Sequence, residues 1–234
     1  MVAILKRELW AYFRSPLGYV FVAAMYLFSG YYFFTYNLYG NTTNMTELFE
    51  LLFPVVLFLV PVLTMRLLSE EKRSKTDQLL LTAPVSRTGI VMGKYLAALS
   101  VYLIAISATL VQAVVMSLVA RPDWPVIIGN IVGLVLLGAT LIAICMFLSA
   151  LTESQVIAAV SGFVVSLLLM LSDALALVVR NSYLQTFFRQ LSFNKRYMPF
   201  ALGILELPSA LFFLSISGLF VCLTVAVLDK ERWM

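Results

Sequence analysis

The chain has 234 residues, of which 62% are hydrophobic and only 12% are charged, and its formal net charge is +4. Soluble domains carry about 25% charged residues, so this composition excludes a soluble globular fold. The chain contains no histidine, which removes the commonest metal ligand and the commonest general base. Both cysteines, Cys145 and Cys222, lie in apolar stretches, and we interpret them as small packing residues rather than a disulfide.

Residues 1–14 are predicted to form an amphipathic elbow helix before the first long apolar run. Its apolar residues recur at helical spacing: Ile4, Leu5, Leu9, Trp10 and Phe13. Cationic residues occupy the rest of the helical wheel, as in helices that lie in the headgroup region of a bilayer. The apolar run that follows is too long for the hydrophobic region of a cleavable signal.

Six apolar stretches are predicted to span a membrane, since about 20 apolar residues cross a hydrocarbon core of about 30 Å. They cover residues 17–36, 48–68, 95–119, 127–150, 156–178 and 208–228. The second stretch contains Pro54 and Pro61, which mark either a mobile element or a tolerated bend, because proline kinks membrane helices. The sequence therefore predicts an all-α integral membrane protein with a single domain over residues 1–234.

Lys and Arg are distributed unevenly between the two faces that six spans define. The face that holds both termini carries eleven: Lys6, Arg7, Arg14, Arg66, Lys72, Arg73, Lys75, Arg87, Lys94, Lys230 and Arg232. The other face carries five: Arg121, Arg180, Arg189, Lys195 and Arg196. Because cytoplasmic loops are enriched in Lys and Arg, we expect both termini in the cytoplasm. The net positive charge then reflects topology and does not indicate nucleic-acid binding.

One polar segment, residues 69–94, interrupts the apolar chain on the predicted cytoplasmic side, and we call it the polar island. It opens with SEEKRSKT, continues with three leucines at 79–81, and is broken by Pro84. A short helix with three leucines and a polar face suits docking on a cytoplasmic partner. The alternative is a solvated loop that obeys the charge rule. The stretch GIVMGKY is not a phosphate loop, because only three residues separate its glycines and Tyr95 follows Lys94.

A second unusual segment covers residues 180–207, on the predicted outer side. Aromatic and cationic residues alternate there, which favours helices lying on or in the outer leaflet. Arg189, Lys195 and Arg196 either contact an extracytoplasmic accessory protein or lipid phosphates, or they only snorkel from a surface helix. Asp173, near the outer end of the fifth span, is either a functional intramembrane acid or a side chain that reaches the headgroups.

The stretch MRLLSEEKRSKTDQLLLTAPVSRTGIVMGKYLAA resembles the signature of type-2 ABC export permeases. In that family an EEKRSGT stretch, a short Leu/Glu-rich helix, a PVS break and a GK entering the third span recur in this order. The opening KRELWAYFRSPLGYVF resembles the family's elbow helix. The stretch FALGILELPSALFFLSISGLFV is similar to permeases of the gliding-motility and copper-enzyme-maturation branch. Lys75 stands where a glycine is usual, and Asp77-Gln78 replaces the usual Leu-Glu.

The resemblance implies that the polar island couples this chain to an ATPase. The residues implied in coupling are Glu70, Glu71, Lys72, Arg73, Thr76, Asp77, Gln78, Leu79, Leu80 and Leu81. Two permease copies, or one copy and a homologous permease, would pair on a separately encoded cytoplasmic ABC ATPase dimer. That ATPase would bind ATP and magnesium, so this chain would bind no cofactor and would not be an enzyme.

By this resemblance the chain would export a substrate, or transmit ATP-driven motion, across a bacterial inner membrane. The alternative is an ATPase-independent channel or a membrane scaffold subunit of a larger complex. An integral membrane enzyme is disfavoured, because the sequence has no histidine and no clustered carboxylates.

Overall fold

The computed structural model describes residues 1–75, 86–119, 122–178 and 182–231. In these ranges the chain consists of helices joined by short turns, with no strand. The helices are α1 (Val2–Arg14), α2 (Pro16–Tyr32), α3 (Thr46–Thr64), α4 (Ser69–Ser74), α5 (Arg87–Val119), α6 (Trp124–Ala150), α7 (Gln155–Val178), α8 (Ser182–Leu191), α9 (Phe193–Ala201) and α10 (Leu207–Glu231). A π-helical segment, Phe33–Tyr39, continues α2.

Within the described ranges, six helical segments are long and apolar enough to cross a membrane: α2 with its π-helical extension, α3 with α4, α5, α6, α7 and α10. This confirms the predicted all-α fold with six spans. Helices α3 and α6 form the centre of the bundle. In their most apolar 18-residue stretches, 61% and 67% of the residues are buried, whereas the corresponding share in α10 is 22%. The exposed side chains of α2, α7 and α10 are largely apolar, as suits a surface in contact with lipid.

Helix α3 continues through both of its prolines. Pro54 and Pro61 lie inside the helix, which ends three residues after the second, at Thr64. A proline has no N–H, so it leaves the carbonyl four residues earlier without its usual helical partner. The chain then turns over residues 65–68 before α4 begins, which makes the end of the second span a defined break close to Pro61.

A buried serine of α6 holds this break in place. The hydroxyl of Ser149 accepts hydrogen bonds from the backbone N–H groups of Leu68 and Ser69, at 3.2 and 3.1 Å. The same hydroxyl donates to the carbonyl of Met65, at 3.1 Å. Backbone groups that a helix end leaves unpaired are thus satisfied inside the protein. The start of the polar island is therefore anchored to the central helix α6.

Two glycines of α6 allow the segment around α9 to approach closely. A Cβ atom at Gly129 would lie 2.8 Å from Gly203 Cα, and one at Gly133 would lie 2.7 Å from Phe200 Cβ. Between them the buried Asn130 donates to the carbonyl of the last residue of α9, at 3.1 Å. The glycine pair therefore serves packing within one chain, which is a common use of such small-residue pairs in membrane helices.

The two ends of the bundle differ in their charge. One end, which we call the charged end, gathers α1, α4, the start of α5 and the last turn of α10. There Arg87 forms an ion pair with Asp229 and so links α5 to α10. The opposite end gathers residues 40–46, α8, α9 and the start of α6.

Candidate functional site

Four charged side chains from three helices meet at the charged end, and we call them the charged cluster: Arg7, Glu8, Glu71 and Lys94. Lys94 Nζ lies 3.2 Å from Glu8 Oε1 and 2.9 Å from Glu71 Oε1. Arg7 Nη2 lies 2.6 Å from each of the same two oxygens. The cluster holds two cations and two carboxylates, so its charges balance.

Lys94 lies deepest in the cluster, with only 1% of its side chain exposed, against 13% for Glu8 and 16% for Glu71. Its ammonium also donates to the carbonyl of Leu67, at 2.7 Å. A buried ammonium is costly unless it is paired and hydrogen-bonded, and here three oxygens satisfy its three N–H donors. Removal of one cation or one carboxylate alone would therefore leave the charges of the cluster unbalanced.

The sequence of α1 places its carboxylate against the bundle. Ile4 and Tyr12 are buried, and Glu8 lies between them on the same face, since residues four apart stack along a helix. Gly93 allows this contact, because a Cβ there would lie 2.9 Å from Ile4 Cγ2. Trp10, one of the apolar residues at helical spacing, is 69% exposed and does not pack against the bundle.

The C-terminal half of α1 is fixed to the end of α3. The buried Tyr12 hydroxyl donates to the carbonyl of Leu63, at 2.9 Å. The Arg66 guanidinium lies over the Tyr12 ring, 5.5 Å from its centroid, which is a cation–π distance. Arg66 also donates to Ser15 Oγ at 2.8 Å and to the Ala11 carbonyl at 3.1 Å. Motion at the end of α3 must therefore move α1 as well.

A cavity of about 360 Å³ opens beside the charged cluster. All four cluster members line it, together with Arg66, Glu70 and Ser74. The cluster is thus buried against the bundle on one side and reachable from the charged end on the other.

The cluster sets the protonation of two groups on α1. Burial opposes ionisation of Glu8, but Lys94 and Arg7 outweigh it and hold the pKa of the carboxyl below its usual range. Because the folded pKa is lowered, this carboxylate stabilises the fold above its unfolded pKa, and the contribution is lost as the pH falls through the folded value. Burial, reinforced by Glu8, raises the pKa of Tyr12, so its hydroxyl remains a donor at neutral pH.

Four of the predicted coupling residues, Glu70, Glu71, Lys72 and Arg73, lie on α4. Glu71 belongs to the charged cluster, and Lys72 Nζ donates to the carbonyl of Ala150 at the end of α6. Glu70 pairs with Arg66 at 3.5 Å, and Arg73 is exposed. The other six, Thr76, Asp77, Gln78, Leu79, Leu80 and Leu81, lie outside the described residues. Contact of these ten residues with an ATPase stays a prediction.

Both flanks of the segment 76–85 have defined ends. Lys75 ends α4 in the left-handed conformation, with φ 54° and ψ 24°. The left-handed conformation costs a residue with a side chain roughly 1–2 kcal/mol and costs glycine little. This explains why glycine is usual at this position in the family signature that the stretch resembles. On the other flank, the Ser86 hydroxyl accepts from the N–H of Gly89 at 3.3 Å and so caps the start of α5.

At the opposite end, Asp173 contacts the start of α9. Its carboxylate accepts a hydrogen bond from Ser192 Oγ at 2.7 Å. The same Ser192 Oγ accepts a hydrogen bond from the backbone N–H of Lys195 at 3.1 Å. Asp173 thus positions the outer helices through the cap of α9. Arg189 belongs to α8, but its side chain lies outside the described part of the protein. Lys195 is exposed and Arg196 is half-buried.

Sequence reasoning did not single out the cluster members Arg7, Glu8 and Lys94 as site residues. The available signal was Glu8, an acid placed four residues from Ile4 and from Tyr12 on a helix whose other charges are mostly basic. For Lys94 the sequence offered the cytoplasmic charge bias, the GK of the resembling signature and a failed phosphate-loop match. The ion pairs of Lys94 have no local sequence signature, because Glu8 and Glu71 lie 86 and 23 positions away from it in the sequence.

The profile of one protein family, described as ABC-2 family transporter protein, matches residues 2–227. No curated protein sequence matches the chain. The narrower resemblance to the gliding-motility and copper-enzyme-maturation branch stays a prediction. The family match covers nearly the whole chain, including the charged cluster, the first five candidate spans and most of the sixth. The chain belongs to the ABC-2 family of transporter proteins, as a multi-pass membrane component that is not itself catalytic.

Proposed function

We propose that this chain is the permease subunit of an ABC transporter, and that it pairs with a separate cytoplasmic ATPase dimer to export a substrate or transmit ATP-driven motion. The observation that supports this most is the position of the charged cluster. Glu71 lies five residues before the segment 76–85 and Lys94 lies nine residues after it. Their 2.9 Å ion pair joins the two flanks of the predicted docking segment to each other.

The described contacts offer a route for motion from that segment into the membrane. A displacement of the segment pulls on α4, which continues into α3 through the turn that Ser149 holds. The same displacement acts on α5 through Lys94, and on α1 through Glu8. Closure of two ATPase subunits on ATP would thus shift the second and third spans together with the elbow helix.

The chemistry of the cycle would lie in the partner. ATP and magnesium would bind to the ATPase subunits, and this chain would bind no cofactor. The ABC-2 family works with ATPase subunits in general, and the exposed apolar helices α2, α7 and α10 offer surface for lipid and for a second permease copy or a homologous permease. An extracytoplasmic accessory protein remains a further candidate partner for the outer helices, through Arg189, Lys195 and Arg196.

We place the charged end in the cytoplasm of a bacterial cell, with the spans in the inner membrane. In the described part of the chain, ten Lys and Arg residues belong to segments of this end and three, Arg189, Lys195 and Arg196, to the opposite end. Positive residues near the ends of spans are retained on the cytoplasmic side.

Cysteine labelling tests this orientation. Single cysteines at Asn41 and at Lys195 are expected to react with an impermeant thiol reagent in intact cells, and a cysteine at Lys75 is expected to react only after the cells are opened. All three positions are exposed, so failure to react reports the side of the membrane and not burial. Replacing the exposed Cys222 beforehand removes background labelling. Labelling of the Lys75 position in intact cells would invert the proposed topology.

Purification from native membranes tests the proposed partnership. The tagged chain, extracted in mild detergent, is expected to carry an ATPase subunit with nucleotide-binding motifs at about one copy per permease. The same preparation treated with high salt serves as the control, because exposed charged contacts are screened under those conditions. A purified assembly that holds other membrane proteins and no ATPase would instead favour the channel or scaffold alternative.

A further inference from the structure

A second charged cavity, of about 480 Å³, lies at the opposite end of the bundle. Its volume falls within the roughly 300–1,000 Å³ of small-molecule sites. Lys195 and Arg196 of α9 line it, together with Gln190, Glu206 and Ser209. The described lining residues therefore present two cations and one carboxylate to a ligand.

These three charges do not neutralise one another, and two of them are held in place by other contacts. Among the described residues, no ion pair joins Lys195, Arg196 or Glu206 to any other side chain. The Arg196 guanidinium lies 5.1 Å from the centroid of the Phe212 ring. The buried Ser209 hydroxyl donates to Glu206 Oε2 at 3.3 Å. Both contacts fix a charged group at the cavity wall and leave it able to bind a ligand.

The cavity lies beside the start of a membrane-spanning helix. Glu206 directly precedes α10, the last membrane-spanning helix, which begins at Leu207. The neighbours of Glu206 in the sequence include four exposed apolar side chains: Ile204, Leu205, Leu207 and Leu211. Charged residues at the end of a span lie at the membrane surface, and the apolar residues beside them contact acyl chains. The cavity therefore offers polar contacts, and the chain beside Glu206 offers exposed apolar side chains.

We propose that this cavity binds the headgroup of a zwitterionic phospholipid that carries a primary ammonium. Lys195 and Arg196 would contact the phosphate, because both cations form charge-assisted hydrogen bonds with phosphate oxygens. Glu206 would accept from the ammonium. The exposed leucines beside the cavity would contact the acyl chains, which a water-soluble phosphate ester lacks. A bound lipid would join α9 to the start of α10.

Competitive lipid retention, measured by native mass spectrometry, tests this assignment. The delipidated chain is given equal amounts of phosphatidylethanolamine and phosphatidylglycerol with identical acyl chains. The wild type is expected to retain the ethanolamine lipid preferentially. Lys195→Gln with Arg196→Gln is expected to retain both lipids at least about tenfold less, since hydrogen bonds to charged groups contribute about 1.5–3 kcal/mol.

Glu206→Gln separates the zwitterion from a plain anion. This variant is expected to lose the preference and to hold phosphatidylglycerol at least as well as the wild type, because only the ammonium partner has been removed. A charge-keeping control, Lys195→Arg with Arg196→Lys, is expected to retain lipid and shows that the local fold tolerates change. Lys6→Gln with Arg14→Gln removes two exposed cations from α1 and is expected to leave the preference intact.

Three outcomes would overturn the proposal. If the double Gln variant retained each lipid as well as the wild type does, these cations would bind no headgroup. An unchanged preference in Glu206→Gln would remove the ammonium contact. Displacement of the lipid by soluble phosphoethanolamine at equal concentration would show that the site recognises the ester without its acyl chains.

Discussion

Lys94→Met is expected to destabilise the folded chain by about 3–5 kcal/mol, the range found when one partner of a buried ion pair is removed. The substitution keeps the length of the side chain but deletes the ammonium, which is 1% exposed and lies within 3.2 Å of two carboxylates. Among the described members of the cluster, Arg7 is then the one cation shared by Glu8 and Glu71, and these three side chains carry one net negative charge. The measurement is the free energy of unfolding in mixed detergent micelles.

A double variant tests whether the loss of stability comes from the unbalanced charge. Lys94→Met with Glu71→Gln leaves Arg7 paired with Glu8, so we expect it to recover a large part of the lost stability, and the coupling energy of the cycle should exceed about 0.5 kcal/mol. Lys6→Met, which removes an exposed cation from α1, serves as the matched control and should change little. Strict additivity of the two cluster substitutions would show that Lys94 and Glu71 do not interact.

Gly138→Ala is the second substitution with a large expected effect, about 2–5 kcal/mol of destabilisation. A Cβ at this position would lie 2.1 Å from two ring carbons of Tyr102, in the fully buried contact between α5 and α6. Relief of that overlap requires the ring to move, which breaks the 2.7 Å hydrogen bond from its hydroxyl to the Leu134 carbonyl. Overpacking costs about 1–3 kcal/mol, and a buried group left unpaired costs a similar amount.

Two other glycines provide controls for the same chemical change. A Cβ at Gly30 or at Gly218 meets nothing within 4 Å, so alanine there should be neutral or slightly stabilising. Tyr102→Leu is expected to relieve the overlap, so Gly138→Ala should cost less in that background. Equal melting midpoints for Gly138→Ala and Gly218→Ala would contradict the packing described for α5 and α6.

The architecture could be predicted from sequence because each span is a long local signal. Uncharged runs such as 95–119 identify a membrane helix without reference to any other part of the chain. The cap at Ser86 was predictable for the same reason, since its partner lies three residues away. The break after Pro61 was only partly predictable, because the serine that stabilises it belongs to α6.

The charged cluster could not be predicted, because its geometry depends on the packing of three helices. Arg7 and Glu8 are adjacent in an ordinary amphipathic pattern, and nothing local indicates that Glu8 faces inward. Lys94 follows a glycine, and the reason for that glycine is visible only where Ile4 packs against it. Asp173 illustrates the converse. An acid near the end of a span suggested function, and the structure gives it a partner in Ser192, at the cap of α9. A functional role for Asp173 stays a prediction.

The central claim, that the polar island transmits the action of an ATPase, is tested most directly at Leu80. ATP hydrolysis is measured in the complex purified with its ATPase and returned to lipid, with Leu80→Met as the volume-conserving control. Leu80→Asp places a charge in the proposed apolar contact, at a cost of several kcal/mol. We predict that Leu80→Asp lowers hydrolysis to the level of the ATPase alone, while insertion and unfolding of the permease stay at wild-type values. Hydrolysis stimulated to the wild-type level by Leu80→Asp would contradict the account.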